Sequence, residues 1–235
     1  MTRRVYWPYA PHPGNFGDVL TPKILNHFGI DYQQVYENWD MICIGSIADH
    51  ARSGVTVLGA GIMSRTDRPN PEADWRFVRG PRTRERILAM GGSCPEIYGD
   101  PGMLLPLLVE ESAKEYDVGI VPHYIDYKEV RAQYPDYFVV DLLNENPLKV
   151  AQEITKCRKV ISSSLHGLIC ANAYGIPAAW VRFGDRLAGD DVKFEDHYAA
   201  MGLEIHQSTM DNLVFQTGSI DLAPLIDIFQ SFSNK

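Results

Sequence analysis

The residues best suited to chemistry sit in one run, Val160-Ile161-Ser162-Ser163-Ser164-Leu165-His166-Gly167. An apolar stretch ends there in three serines, and helical spacing opens near His166 and stops at Gly175. Serine hydroxyls cap the free N–H groups of a helix start, and those same N–H groups bind phosphate or carboxylate. A histidine beside a bound anion can give or take a proton near neutral pH. A plainer reading of the same run is a capped helix that carries a surface histidine.

A second feature is the turn Gly14-Asn15-Phe16-Gly17-Asp18. Its glycines let backbone approach a ligand, while Asp18 either caps a helix or orients a substrate hydroxyl. It matches neither the dinucleotide fingerprint nor the phosphate loop of nucleoside triphosphatases. Arg79 precedes Gly80-Pro81 at the end of a strand-like run, where a guanidinium can clamp a carboxylate or phosphate in bidentate fashion. Arg82 in the next helical turn, Arg182 after a later strand, and His123 after Pro122 are similarly placed, more weakly. His197 lies with Glu195 and Asp196 in a charged helical run that reads as a solvated face without a role.

These side chains need elements to hold them, and the sequence supplies a repeating rhythm. Strands are expected over residues 4–9, 41–44, 55–58, 75–79, 118–121, 137–142, 159–161 and 177–183. Helices are expected over 18–28, 82–90, 127–134, 147–157, 166–175 and 222–232, with a further one around 195–198. Apolar runs covered on both faces, alternating with amphipathic helices, argue for parallel sheets built from βαβ units. The glycine-rich turns fall at the C-terminal strand ends, where such sheets bind ligands. Polar residues 110–114 (EESAK) read as a linker between an N-terminal domain, 1–112, and a C-terminal domain, 113–235, whose last helix packs back.

Composition narrows the class. The chain has 235 residues, 45% of them hydrophobic and 22% charged, as in ordinary globular proteins. A net charge of −8 with no basic stripe argues against a nucleic-acid partner. An acidic protein that binds an anion must do so with a few focused groups. Cys43, Cys94, Cys157 and Cys170 form no CxxC pair, so they read as buried free thiols, and no cluster has metal-ligand spacing. With no bilayer-length apolar run and no signal-like start, the expected location is the cytoplasm.

Taken in order, the motifs resemble the polysaccharide pyruvyl transferase family. The matching pieces are Asn15-Phe16-Gly17-Asp18, Gly45-Ser46, Gly59-Ala60-Gly61 and Arg79-Gly80-Pro81-Arg82-Thr83. They continue through Gly99-Asp100-Pro101, Pro122-His123 and Ser163-Ser164-Leu165-His166-Gly167 to the Ala-Tyr-Gly-Ile-Pro segment. The resemblance implies two Rossmann-like domains facing each other across a cleft, as in GT-B glycosyltransferases. It also implies phosphoenolpyruvate as donor substrate, no cofactor, and a cyclic pyruvate ketal on a sugar of an exopolysaccharide or cell-surface glycan.

By the same resemblance His166 is the acid or base and Arg79 grips the donor. Asp18 and His123 are the further catalytic candidates. The expected substrate-binding set is Asn15, Gly17, Arg79, Arg82, Ser162, Ser163, Ser164, Leu165, Gly167 and Arg182. Many family members carry an arginine just before the Leu-His pair, where this chain has Ser164. Either serines and backbone amides hold the donor, or Arg182 or Arg82 substitutes. A saccharide or lipid-linked oligosaccharide acceptor would bring peripheral contact with the inner membrane face. Two rival readings share these features: a GT-B-type nucleotide-sugar glycosyltransferase, and a non-catalytic carbohydrate- or metabolite-binding protein of the same fold.

Overall fold

Met41, Ile42, Val57 and Leu58 have no exposed surface, as expected of apolar runs covered on both sheet faces. In the computed structural model, which describes residues 2–233, they belong to a five-stranded parallel sheet. Its elements are β1 (Arg3–Tyr6), α1 (Thr21–His27), β2 (Tyr32–Gln34), β3 (Met41–Ile42), β4 (Thr56–Leu58), β5 (Asp74–Phe77) and α2 (Pro81–Ala89). A 3-10 segment, Pro101–Leu107, follows. The second sheet, also parallel, comprises β6 (Tyr116–Val121), α3 (Tyr127–Gln133), β7 (Phe138–Val139), α4 (Pro147–Thr155), β8 (Cys157–Ser162) and α5 (Leu165–Ala173). It continues with β9 (Ala178–Val181), α6 (Val192–Ala200) and β10 (Gln207–Ser208), and α7 (Ala223–Ser231) closes the chain.

The strand orders are β2-β1-β3-β4-β5 and, read from the corresponding edge, β7-β6-β8-β9-β10. Each sheet therefore reverses direction beside its first strand, between β1 and β3 and again between β6 and β8. Parallel sheets of this order bind ligands in the crevice at that reversal, beyond the carboxyl ends of the strands.

One apolar core runs through both sheets, from Val5, Leu20 and Phe77 through Leu104 and Leu105 to Val121, Leu168 and Phe229. α7 packs back onto the first sheet, with Phe229 stacked on Phe28 at 4.9 Å and edge-on to Phe77 at 5.8 Å. α5, apolar apart from His166 and Asn172, is buried along eight of its residues, as a helix wedged between layers must be.

Two expectations change. Within residues 137–142 the strand covers only Phe138 and Val139, and after Val140 N–H donates to Ile120 O at 2.9 Å the chain turns to the other half, where Phe16 N–H donates to Leu142 O at 2.9 Å. The charged run 192–200 is not a solvated face. Asp196 and His197 in α6 are buried, Asp196 beneath Arg79 and α2, and His197 against Asn172 of α5.

Candidate active site

The backbone bond from Phe16 to Leu142 pins the loop after β1 against the second sheet. That loop brings Asn15 and Asp18 to a cavity of about 240 Å³, where Asn15 Nδ2 donates to Asp18 Oδ2 at 3.0 Å. The loop after β3 adds Ser46, entered through Gly45, whose φ of +118° only glycine adopts readily. From the second sheet come His123 after β6, and Ser163, Ser164, Leu165 and His166 after β8. Loops from both strand-order reversals thus meet at one cavity. Its volume falls below the roughly 300–1,000 Å³ typical of drug-sized ligands and suits a small metabolite.

The serines divide their work. Ser162 Oγ donates within the turn, with Val121 O at 2.7 Å and Ser164 O at 2.9 Å as its acceptors, and accepts from Ser164 N–H. Ser163 Oγ accepts from His123 N–H at 2.8 Å, tying the β6 and β8 loops together. Ser164 is the N-cap of α5, its Oγ accepting from Gly167 N–H at 3.4 Å. Gly167 lies behind this turn, where a Cβ would press into Val121 and the Ser162 hydroxyl. Ser162 and Gly167 therefore shape the turn and do not line the cavity.

His166 is 8% exposed and packs on Gly17, whose Cα leaves no room for a side chain beside the imidazole Nδ1. Its Nε2 lies 3.7 Å from Asp100 Oδ2, an ion-pair separation longer than a hydrogen bond. Asp100 is fully buried, and its Oδ1 accepts from Gly102 N–H at 2.8 Å to cap the 3-10 segment. Burial opposes its ionisation, but the His166 imidazole, the Gly102 amide and the more distant Arg79 outweigh that and hold its carboxyl below the usual range.

Asp18 is pushed the other way. Burial raises it and Asp100 adds to the rise, only partly offset by His166 and the Asn15 amide. Two carboxyls beside one imidazole thus have separated affinities for protons, the pattern of paired acid and base groups. His123 falls to about 4 through burial first, then Lys193 and His166, so it is neutral at pH 7. It can accept a hydrogen bond there but carries no spare proton charge.

The arginines expected at the donor lie elsewhere. Arg79 is wholly buried, its guanidinium spent on Asp196 Oδ2 at 3.1 Å, Ser46 Oγ at 2.8 Å and Ile62 O at 2.6 Å. It stands behind the cavity wall and reaches it only through Ser46. Arg82 pairs with Glu85 and borders a separate hollow of about 340 Å³ between α2 and α6. The arginines of that hollow are already engaged, Arg65 by Glu195 and Asp190 and Arg86 by Asp67 O, so it offers an anion little. Arg182 pairs with Asp191 at 2.9 Å and does not line the cavity.

Other residues complete the site. Lys193 and Arg186 are the cationic side chains that line it, and Asp100 stands directly behind His166. Lys193 was hidden in the charged run of α6. Asp100 stood among the motif residues, but nothing in its spacing told that its free oxygen faces an imidazole 66 positions away.

Residues 29–186 match the sequence model of the polysaccharide pyruvyl transferase family. The chain is 32% identical over 174 residues to the uncharacterized protein L143 of Acanthamoeba polyphaga mimivirus, covering 70% of this chain and 61% of that protein. It is 26% identical over 215 residues to the succinoglycan biosynthesis protein ExoV of Rhizobium meliloti (strain 1021), covering 84% and 64% respectively. The aligned region thus spans somewhat under two thirds of each relative's length. No solved structure is a significant match. Among the described residues no helix is long and apolar enough to cross a membrane.

Proposed function

This chain belongs to the polysaccharide pyruvyl transferase family, and we propose that it moves pyruvate from phosphoenolpyruvate onto a sugar of an exopolysaccharide or cell-surface glycan. The product is a cyclic ketal, and inorganic phosphate is released. The two sheets then act as facing halves of a GT-B-like arrangement. The observation that carries this reading is the convergence of Asp18 and of His166, backed by buried Asp100, at a small cavity where both strand-order reversals meet.

The chemistry needs a proton at the methylene carbon of the donor, which leaves oxocarbenium character at C2. A sugar hydroxyl adds to C2 and loses its proton, phosphate departs with the C2–O electron pair, and a neighbouring hydroxyl closes the ring, its proton leaving on the phosphate. His166 carries the proton in, with the Asp100 carboxylate balancing the imidazolium. Asp18, the carboxyl with raised proton affinity, takes a proton from the acceptor hydroxyl and passes it on. The N-terminus of α5 faces the same cavity through Ser163 and Ser164 and favours the donor's negative charge.

A cavity of about 240 Å³ suits this donor better than a nucleotide sugar. We place the reaction in the cytoplasm, with a lipid-linked acceptor met at the inner membrane face. The test is phosphate release from phosphoenolpyruvate in the presence of diol-bearing glycans, with the ketal methyl group followed by NMR. His166→Ala should stay folded and lose about 10²–10⁴-fold in turnover. Binding of UDP- or GDP-sugars with no response to phosphoenolpyruvate would overturn the reading.

A further inference from the structure

Four cationic side chains stand at or near the cavity, and three are already neutralised. Arg79 is held by Asp196, Arg182 by Asp191, and Arg186 by Asp126 and Glu129. Lys193 differs. It is 7% exposed and lines the cavity, yet among the described residues no carboxylate lies within ion-pair distance of its ammonium. Its Nζ donates to Ala188 O at 3.0 Å and approaches Met63 Sδ at 3.6 Å, both uncharged acceptors. Asp191, the acid whose charge acts on Lys193, is engaged by Arg182.

A lysine is seldom so buried unless it is paired, because taking the ammonium out of water is costly without a counter-charge. Here the cost shows in a proton affinity brought down to about 8, by burial first and then by Arg79, with Arg182 adding and Asp191 opposing. An ammonium kept without its counter-ion beside a cavity of metabolite size is a site that an incoming anion completes. The N-terminus of α5 borders the same cavity through Ser163 and Ser164, so an anion there meets positive potential from two elements.

We infer that Lys193 is the phosphate-binding cation of this cavity, the group that receives the phosphate of the substrate and holds it as it departs. Naming that substrate as phosphoenolpyruvate rests on the function proposed above; the phosphate site itself does not. Arg79 and Arg182 then have supporting parts: they keep Asp196 and Asp191 occupied, so neither acid is left to quench Lys193.

The experiment compares the wild-type chain with Lys193→Met and Lys193→Arg, titrating inorganic phosphate and phosphoenolpyruvate by calorimetry and following melting temperature. Wild type should bind phosphate and melt at a higher temperature in its presence. Lys193→Met should bind both anions about 10–100-fold more weakly, the scale of one lost charge-assisted hydrogen bond. Its melting temperature without ligand should equal or exceed that of wild type, a result that a purely structural lysine would not give. In turnover its KM for the donor should rise more than its kcat falls, and Lys193→Arg should recover most of the affinity. If the Met variant does not fold, Lys193→Gln carries the same comparison.

Unchanged phosphate affinity in the neutral variants, or a wild-type chain that binds no phosphate, would overturn the assignment. Phosphate binding that depends on Lys193 in a chain indifferent to phosphoenolpyruvate would uphold the site and reject the donor.

Discussion

Asp100 Oδ2 and His166 Nε2 face each other across 3.7 Å, each buried and, among the described residues, without a hydrogen-bond partner of its own. The other oxygen of Asp100 caps the 3-10 segment through Gly102 N–H, so the carboxylate cannot swing away. Asn serves as well as Asp in a cap. Asp100→Asn should therefore keep the fold and melting temperature while removing the charge that answers the imidazolium. Turnover should drop at least about tenfold, toward the 10²–10⁴ range of acid–base contributions. Steady-state kinetics beside a thermal melt decide it: unchanged kcat in a folded variant removes Asp100 from the mechanism.

Gly17 has φ −63° and ψ −46°, a conformation open to every residue, so its lack of a side chain answers a contact and not a dihedral. The contact is the imidazole of His166. In Gly17→Ala the new methyl must displace either the ring or the loop that carries Asn15 and Asp18. Overpacking of this kind costs about 1–3 kcal/mol, so the variant should fold. Its kcat should fall by about 10²-fold as the proton carrier is misplaced. Near-normal kcat would mean that the ring has more freedom than its packing suggests.

Arg79 and Asp196 form a fully buried pair that joins the two halves, and Asp196 also accepts from Thr83 N–H at 3.0 Å, capping α2 from α6. Removing one partner of a buried pair leaves an uncompensated charge and costs about 3–5 kcal/mol. Arg79→Met should lose that much in urea denaturation, with little change in KM for phosphoenolpyruvate in whatever fraction stays folded. A tenfold rise in KM without loss of stability would instead put Arg79 in direct contact with the donor.

The sheets were legible because their strands are continuous apolar runs and their turns are glycine-rich. So were the loops that carry Asn15, Asp18, His123 and His166, since strand ends in parallel sheets are where ligands bind. Which arginine reaches the cavity was not legible. Arg79 follows β5, which ends at Phe77 and not at Arg79 itself, and its side-chain direction depends on a partner 117 residues away in sequence. That partner sits in α6, whose Lys, Glu, Asp and His look like a water-facing helix by composition. Asp196 and His197 are buried because each finds an interior partner: Asp196 meets Arg79 and Thr83, and His197 meets Asn172. Lys193 escaped notice for the same reason. β2 and β10, three and two residues long, are fixed by neighbouring strands and carry too little periodicity to read.

His197 gives the protein an acid-side weakness. It is fully buried against Asn172 Oδ1 at 3.1 Å, and burial first, then Arg79 and His166, bring its proton affinity down to about 3, with Asp100 opposing. In the unfolded chain a histidine titrates near 6.5. Above that pH neither state is protonated and His197 leaves stability unchanged. As pH falls below about 6.5 the unfolded state takes up a proton that the folded state refuses, so stability drops. The loss grows until the folded imidazole itself titrates near 3. By pH 5 this single group should cost roughly 2 kcal/mol. His123, which falls to about 4, acts in the same direction from a less buried place. Urea midpoints at pH 7.5 and 5 should differ accordingly in the wild-type chain. In His197→Gln, which keeps a polar group for Asn172, the difference should shrink. An equal pH dependence in the two proteins would show that His197 is already protonated, or already exposed, in the folded state.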